Sequence, residues 1–143
     1  LNIQRDGLPL FSSVQATWNL LEQSAGPLLQ DAHASGMGVI IKEALANGRL
    51  TSRNTNPDFK PVFSLLEREA EILESSPEAL ALAAVMMQPW VDVVLSGAAS
   101  VDHLRDNLTA YEIPPEQISE SVLSALVESP EVYWSTRSQL AWN

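Results

Sequence analysis

Cysteine is absent from the 143-residue sequence, and that absence removes three kinds of chemistry. A disulfide framework, a zinc site built on thiolates and a cysteine nucleophile all need a sulfur that the chain does not have. A cysteine-free chain also fits a reducing compartment, and we expect a cytoplasmic protein. Positive charge is scarce as well. Eight Lys and Arg stand against eighteen Asp and Glu, for a formal net charge of −10. Phosphate backbones are bound by basic faces, so the charge argues against a nucleic-acid partner. Acidity of this kind serves solubility. Long apolar runs are missing too. The longest, Ala79 to Met87, falls well short of a bilayer span. No basic segment followed by an apolar stretch marks a signal peptide, and no membrane partner is expected.

What remains is an ordinary globular composition, 45% hydrophobic and 18% charged. A chain of this length forms one domain and buries roughly 70% of its unfolded surface. The opening LNIQRDGLPLF reads as the tail of a helix and a loop, an unusual start for a domain, with Leu1 in place of Met. Phe11 to Leu21 mixes β-branched and aromatic residues in loose alternation and predicts a strand. A helix follows from Ser24-Ala-Gly-Pro27, with Pro27 tolerated in its first turn and Gly36 and Gly38 ending it. Gly38 to Glu43 is almost continuously apolar until its end, as a doubly buried parallel strand would be.

Leu50 to Pro57 is polar and predicts an exposed loop. The next helix, about Asp58 to Glu74, places Val62, Leu65, Leu66, Ala70 and Leu73 on one stripe. Ser76-Pro77-Glu78 caps another, running to about Gln88. Val91 to Ser96 predicts a third strand, and Ser100 caps a helix to about Ala110. Pro115 to Glu128 and Pro130 to about Gln139 complete the chain as helices. Strands alternating with crossovers of more than a dozen residues imply a parallel sheet and an α/β fold.

Ligands of α/β proteins gather at the carboxyl ends of parallel strands. Those ends carry Gln15 and Asn19, then Lys42, Glu43, Asn47 and Gly48, then Ser96, Gly97, Ala98 and Ala99. The third, SGAAS, is a small-residue turn leading into a helix. Such a turn lets backbone N–H groups approach an anion, although a tight strand-to-helix connection selects the same residues. His33 sits near a helix C-terminus, where a cation is favoured. Trp18, Trp90, Trp134 and Trp142 read as packing residues, and Glu67, Glu69, Glu71 and Glu74 as a solvated face.

Together these segments resemble the last third to half of an aldo-keto reductase. VQATWNLLEQ resembles the sixth strand, GVIIKEALANGRLT the seventh strand with its loop, and VDVVLSGAASVDHLRDNL the eighth strand with the cofactor-binding helix. SPEALALAAVMMQPWVDVVLSG also follows the family's wording, and the likeness runs from about Val14 to Leu108. It implies a partial (β/α)8 TIM barrel, strands six to eight with their helices. Residues 1–143 would be one unit, with 111–143 as a helical tail.

The resemblance also implies roles. Gln15 would hold the nicotinamide carboxamide, and Lys42 takes the place where many members stack an aromatic ring. Glu43, Leu45 and Asn47 would line the pyrophosphate segment. Gly97 and Ala98 would abut the adenosine phosphate, and Asn107 would contact adenine. Where NADPH-preferring members carry an Arg, this helix has His103, so the fork that grips a 2′-phosphate bidentately is missing there. The implied cofactor is NADP(H), with NAD(H) as the alternative, and the implied reaction is hydride transfer to an aldehyde or ketone.

The family's catalytic Asp, Tyr, Lys and His come from earlier strands, and no grouping here matches them. Tyr111 and Tyr133 lie in the tail, so no catalytic residue is assigned. The expectation is the cofactor-binding portion of a longer chain, inactive by itself. The alternative is a non-catalytic half-barrel acting as an interaction or regulatory module. Three strands present two open edges and an apolar inner face. A few hundred Å² of exposed apolar surface is worth on the order of 10 kcal/mol, so the segment alone would self-associate or recruit a complementary half.

Overall fold

The computed structural model describes residues 3–140, the Val122 side chain excepted. Trp142 therefore lies outside the described residues. The opening segment corrects the sequence reading. Gln4–Arg5 (β1) and Leu8–Pro9 (β2) pair antiparallel. The two residues between them, Asp6 and Gly7, have φ of 54° and 80°. Two successive positive φ values are what a tight primed hairpin turn requires, and Asp-Gly supplies them cheaply.

The main sheet has three parallel strands in chain order: β3 (Ser13–Thr17), β4 (Gly38–Lys42) and β5 (Val93–Val94). Between β3 and β4 runs α1 (Gly26–Ala34), which contacts β4. Between β4 and β5 come α2 (Lys60–Ile72) and α3 (Pro77–Met86), a helical hairpin. After β5 follow α4 (Val101–Leu108), α5 (Glu120–Ala125) and α6 (Pro130–Gln139). The class is α/β, as expected.

Two strands are shorter than the apolar pattern suggested. β3 ends at Thr17, not Leu21, because Asn19 Oδ1 accepts from the N–H groups of Leu21 and Glu22 at 3.0 and 3.1 Å. That local turn takes the backbone out of the ladder. β5 is two residues long, yet Asp92 N–H to Val39 O and Leu95 N–H to Ile41 O extend its bonding to β4.

The α2 stripe also differs. Phe63, Leu66 and Ala70 are its buried residues, while Leu65 is exposed. Phe63 packs beside Phe59, with ring centroids 6.4 Å apart, and the large aromatic area turns the helix toward that side. The helix expected over Pro115 to Glu128 is broken. A short 3-10 turn, Pro115–Gln117, is followed by extended Ile118 and Ser119 before α5 begins. Ile118 is buried in the core, and reaching it interrupts the helix.

α3 is the centre of the molecule. Ser76 Oγ caps it by accepting from Ala79 N–H at 3.1 Å, with Pro77 at its start. Ala79 to Val85 are all buried, since α2, α4, β5 and the Thr109–Glu112 turn surround them. An alanine-rich helix is thin enough to be enclosed in this way, and one apolar all round is a buried one.

Candidate functional site

Partners across a parallel ladder point to the same face, so the register sorts the side chains. Val14, Ala16, Val39, Ile41 and Val94 share one face. It is the covered one, with Val39 and Ile41 fully buried. Gln15, Thr17, Ile40, Lys42 and Val93 share the other. Gln15, Lys42 and Val93 are exposed there. The Gln15 side chain makes no hydrogen bond among the described residues. Two residues on, Thr17 is only 6% exposed, yet its Oγ1 has no partner. Gln15 therefore brings unused hydrogen-bonding capacity to the exposed part of this face, while the Thr17 hydroxyl is unpartnered but buried.

At the carboxyl end of β4 the chain turns sharply. Glu43 has φ of 56°, and Ala46, Asn47 and Gly48 follow at 49°, 54° and 87°. Left-handed backbone at a non-glycine residue costs roughly 1–2 kcal/mol and persists only where surroundings hold it. For Glu43 those surroundings are visible. Arg137 of α6 donates from Nε to both carboxylate oxygens, at 3.1 and 3.0 Å, and from Nη2 to Oε1 at 2.9 Å. Asn19 Nδ2 donates to the Glu43 carbonyl at 2.9 Å and to Tyr133 Oη at 3.0 Å. Burial pushes the Tyr133 hydroxyl up to about 12, with the Asn19 hydrogen bond opposing. The hydrogen bonds to Glu43 raise Arg137 above its ordinary value. Nearby, Arg49 forms an ion pair with Glu128, and its guanidinium lies 4.8 Å from the Phe59 ring centroid.

The Glu43 carboxylate is thus engaged by α6, and within the turn Ala46 N–H donates to Glu43 O and Gly48 N–H to Leu45 O. Leu45 is half-buried against the core, and Asn47 is half-buried in the turn. At the end of β5, Gly97 has φ of 68°, and an added Cβ would meet nothing within 4 Å. Ala98 is exposed. Ser100 Oγ caps α4 by accepting from His103 N–H at 3.1 Å, and Asn107 Nδ2 reaches back to Ser96 O at 3.2 Å. A cleft of about 800 Å³ opens beside α4, lined by Ser52, Arg53, Ser76, Glu78, His103 and Asn107 among others.

The expected residues therefore fall into three groups: Gln15 and Lys42 on the open face, Glu43, Leu45 and Asn47 in the strained turn, and Gly97, Ala98, His103 and Asn107 around the start of α4. Sequence reasoning missed Thr17, Arg53, Tyr133 and Arg137. The last two had a signal, a buried-type aromatic and a rare cation four apart on one helix face. His33 lies 3.7 Å from Asp92 at the opposite end of the strands. Among the described residues no cluster of His, Asp and Glu could hold a metal ion, and no helix is long and apolar enough to cross a membrane.

The sequence model of the Aldo/keto reductase family matches residues 2–126. The chain belongs to that family. Among solved structures it is similar to a thermostable aldo-keto reductase, Tm1743, in complex with the inhibitor epalrestat, with a TM-score of 0.61 at 23% identity. The match covers 78% of this chain and 38% of that one, so the chain spans well under half the length of that reductase. At such identity the likeness speaks for the fold alone, an α/β arrangement consistent with part of a barrel. No curated protein matches the sequence.

Proposed function

We propose that this chain is the cofactor-binding portion of an NAD(P)H-dependent aldo-keto reductase, with β3, β4 and β5 as the sixth to eighth strands of the barrel. The observation that carries this is the open sheet face. Gln15 offers a free carboxamide there, and a primary amide pairs well with another amide such as the nicotinamide carboxamide. The exposed Lys42 lies on the same face, at the carboxyl end of β4. Gly97 and Ala98 leave open space for a phosphate at the head of α4, where backbone N–H groups favour an anion. Asn107 borders the adjoining cleft, suited to a base edge.

The cofactor supplies the hydride when bound. This chain's residues would do the rest of what falls to them: Gln15 orients the carboxamide, the Glu43–Gly48 turn holds the phosphate linkage, and α4 fixes the adenosine end. No residue here is assigned to proton transfer. Calorimetric titration with NADPH tests the reading. Binding by the natural protein should weaken roughly tenfold in Gln15→Ala, the scale of one or two lost hydrogen bonds. Absence of binding to NADPH and NADH alike would instead favour a non-catalytic module, whose exposed Val93 and Leu95 await a protein partner.

A further inference from the structure

Most cations of this acidic chain are committed to carboxylates: Arg5 to Asp6, Arg49 to Glu128, Lys60 to Glu67, Arg105 to Asp102, Arg137 to Glu43. Lys42 is not. Among the described residues its ammonium makes no hydrogen bond and no ion pair. The carboxylate beside it in sequence, Glu43, is taken by Arg137 through Nε and Nη2. Lys42 therefore stands at the carboxyl end of β4 with no counterion among the described residues.

Its neighbours on that face are uncharged. The register puts Gln15, Thr17, Ile40, Lys42 and Val93 on one side of the sheet, and Lys42 is the one ionic group of the five. It lies two residues beyond Ile40, the partner of Gln15. Strand spacing and rise separate the β-carbons of Gln15 and Lys42 by roughly 8 Å. A flexible lysine stem covers most of that interval. Ligands approach such sheets from the carboxyl ends of the strands, so a nicotinamide whose carboxamide bonds to Gln15 extends its ring toward Lys42. The ring has one property that an ammonium senses. Reduced, it is neutral; oxidised, it is a pyridinium with a full positive charge. Like charges this close repel, and the more so as water is excluded.

We propose that Lys42 makes this protein discriminate between the redox states of its dinucleotide, holding the reduced form and repelling the oxidised one. This rests on the cofactor-binding reading above. An aromatic ring at the same position would do the opposite, since its negative face attracts a cation. The lysine inverts that preference. Once hydride has left for the carbonyl carbon, its ammonium favours departure of the oxidised cofactor.

Calorimetric titration of the natural full-length protein with NADPH and NADP+ tests this, using wild type, Lys42→Met and Lys42→Arg. NADH and NAD+ serve in the same way if those are the forms bound. Lys42 is exposed, so both variants should fold, which thermal melting checks. Wild type should bind the reduced form about tenfold more tightly than the oxidised one. Lys42→Met should bring the two within about twofold by tightening the oxidised form, a gain that damaged packing does not produce. Lys42→Arg should keep the wild-type gap. A wild type that binds both redox forms equally, or a Lys42→Met that keeps the gap or weakens both forms alike, overturns the assignment and leaves the cofactor-binding reading intact. If the wild type binds no redox form of either dinucleotide, that reading fails and this one with it.

Discussion

Tyr133 is fully buried, and its hydroxyl sits between an amide donor and a carboxylate. Ionising it would place a second negative charge beside Glu43 in a site that water does not reach, so the folded protein keeps the phenol neutral. Its value is about 12 when folded against an ordinary 10. The folded state therefore binds this proton more tightly than the unfolded state does. Below about pH 10 both states are protonated and stability is unaffected. Between about pH 10 and about pH 12 the unfolded state releases the proton first, and stability falls by up to about 2–3 kcal/mol. Denaturant titrations across that range should show the decline in the wild type and a flatter profile in Tyr133→Phe. An unchanged slope in the variant would place its origin at another group.

At the scale of elements, the Arg137–Glu43 ion pair, with side chains only 8% and 18% exposed, joins the Tyr133 hydroxyl in fastening α6 to the end of β4. Removing one partner of a buried pair leaves the other charge stranded. Arg137→Met should therefore cost about 3–5 kcal/mol, and adding Glu43→Gln should recover part of that loss in equilibrium unfolding. Additive losses in the double variant would mean that the two side chains act independently.

The helices themselves were readable in sequence where a cap and a continuous pattern coincide: Ser76-Pro77 for α3, Ser100 for α4, Pro130 for α6. β4 was readable because both its ends are marked. The β1–β2 hairpin was not, since its exposed two-residue strands carry no alternation, although Asp6-Gly7 was a usable sign. The residues of the candidate site were legible through family resemblance. Their supports were not, because Arg137 lies 94 positions from Glu43 and Arg53 lies 50 from His103. Only the fold brings such pairs together.

For the whole molecule, the sheet is the decisive feature. One face carries the buried Val39 and Ile41 and the other the exposed Gln15, Lys42 and Val93, and among the described residues β3 and β5 each pair with β4 on one side only. Val93 and Leu95 remain 47% and 45% exposed, and unpaired strand edges invite pairing. These 143 residues as a separate polypeptide should self-associate at micromolar concentration. Sedimentation showing a sharp 15.6 kDa species would mean that the open face needs no cover.

The Glu43 to Arg137 bond also sets an order of events during synthesis. Glu43 leaves the ribosome 94 residues ahead of its counterion, an interval on the order of ten seconds at usual elongation rates. Throughout that interval the turn after β4 has no clasp, and a nascent chain paused before α6 offers a chaperone or a protease a segment that the finished protein conceals.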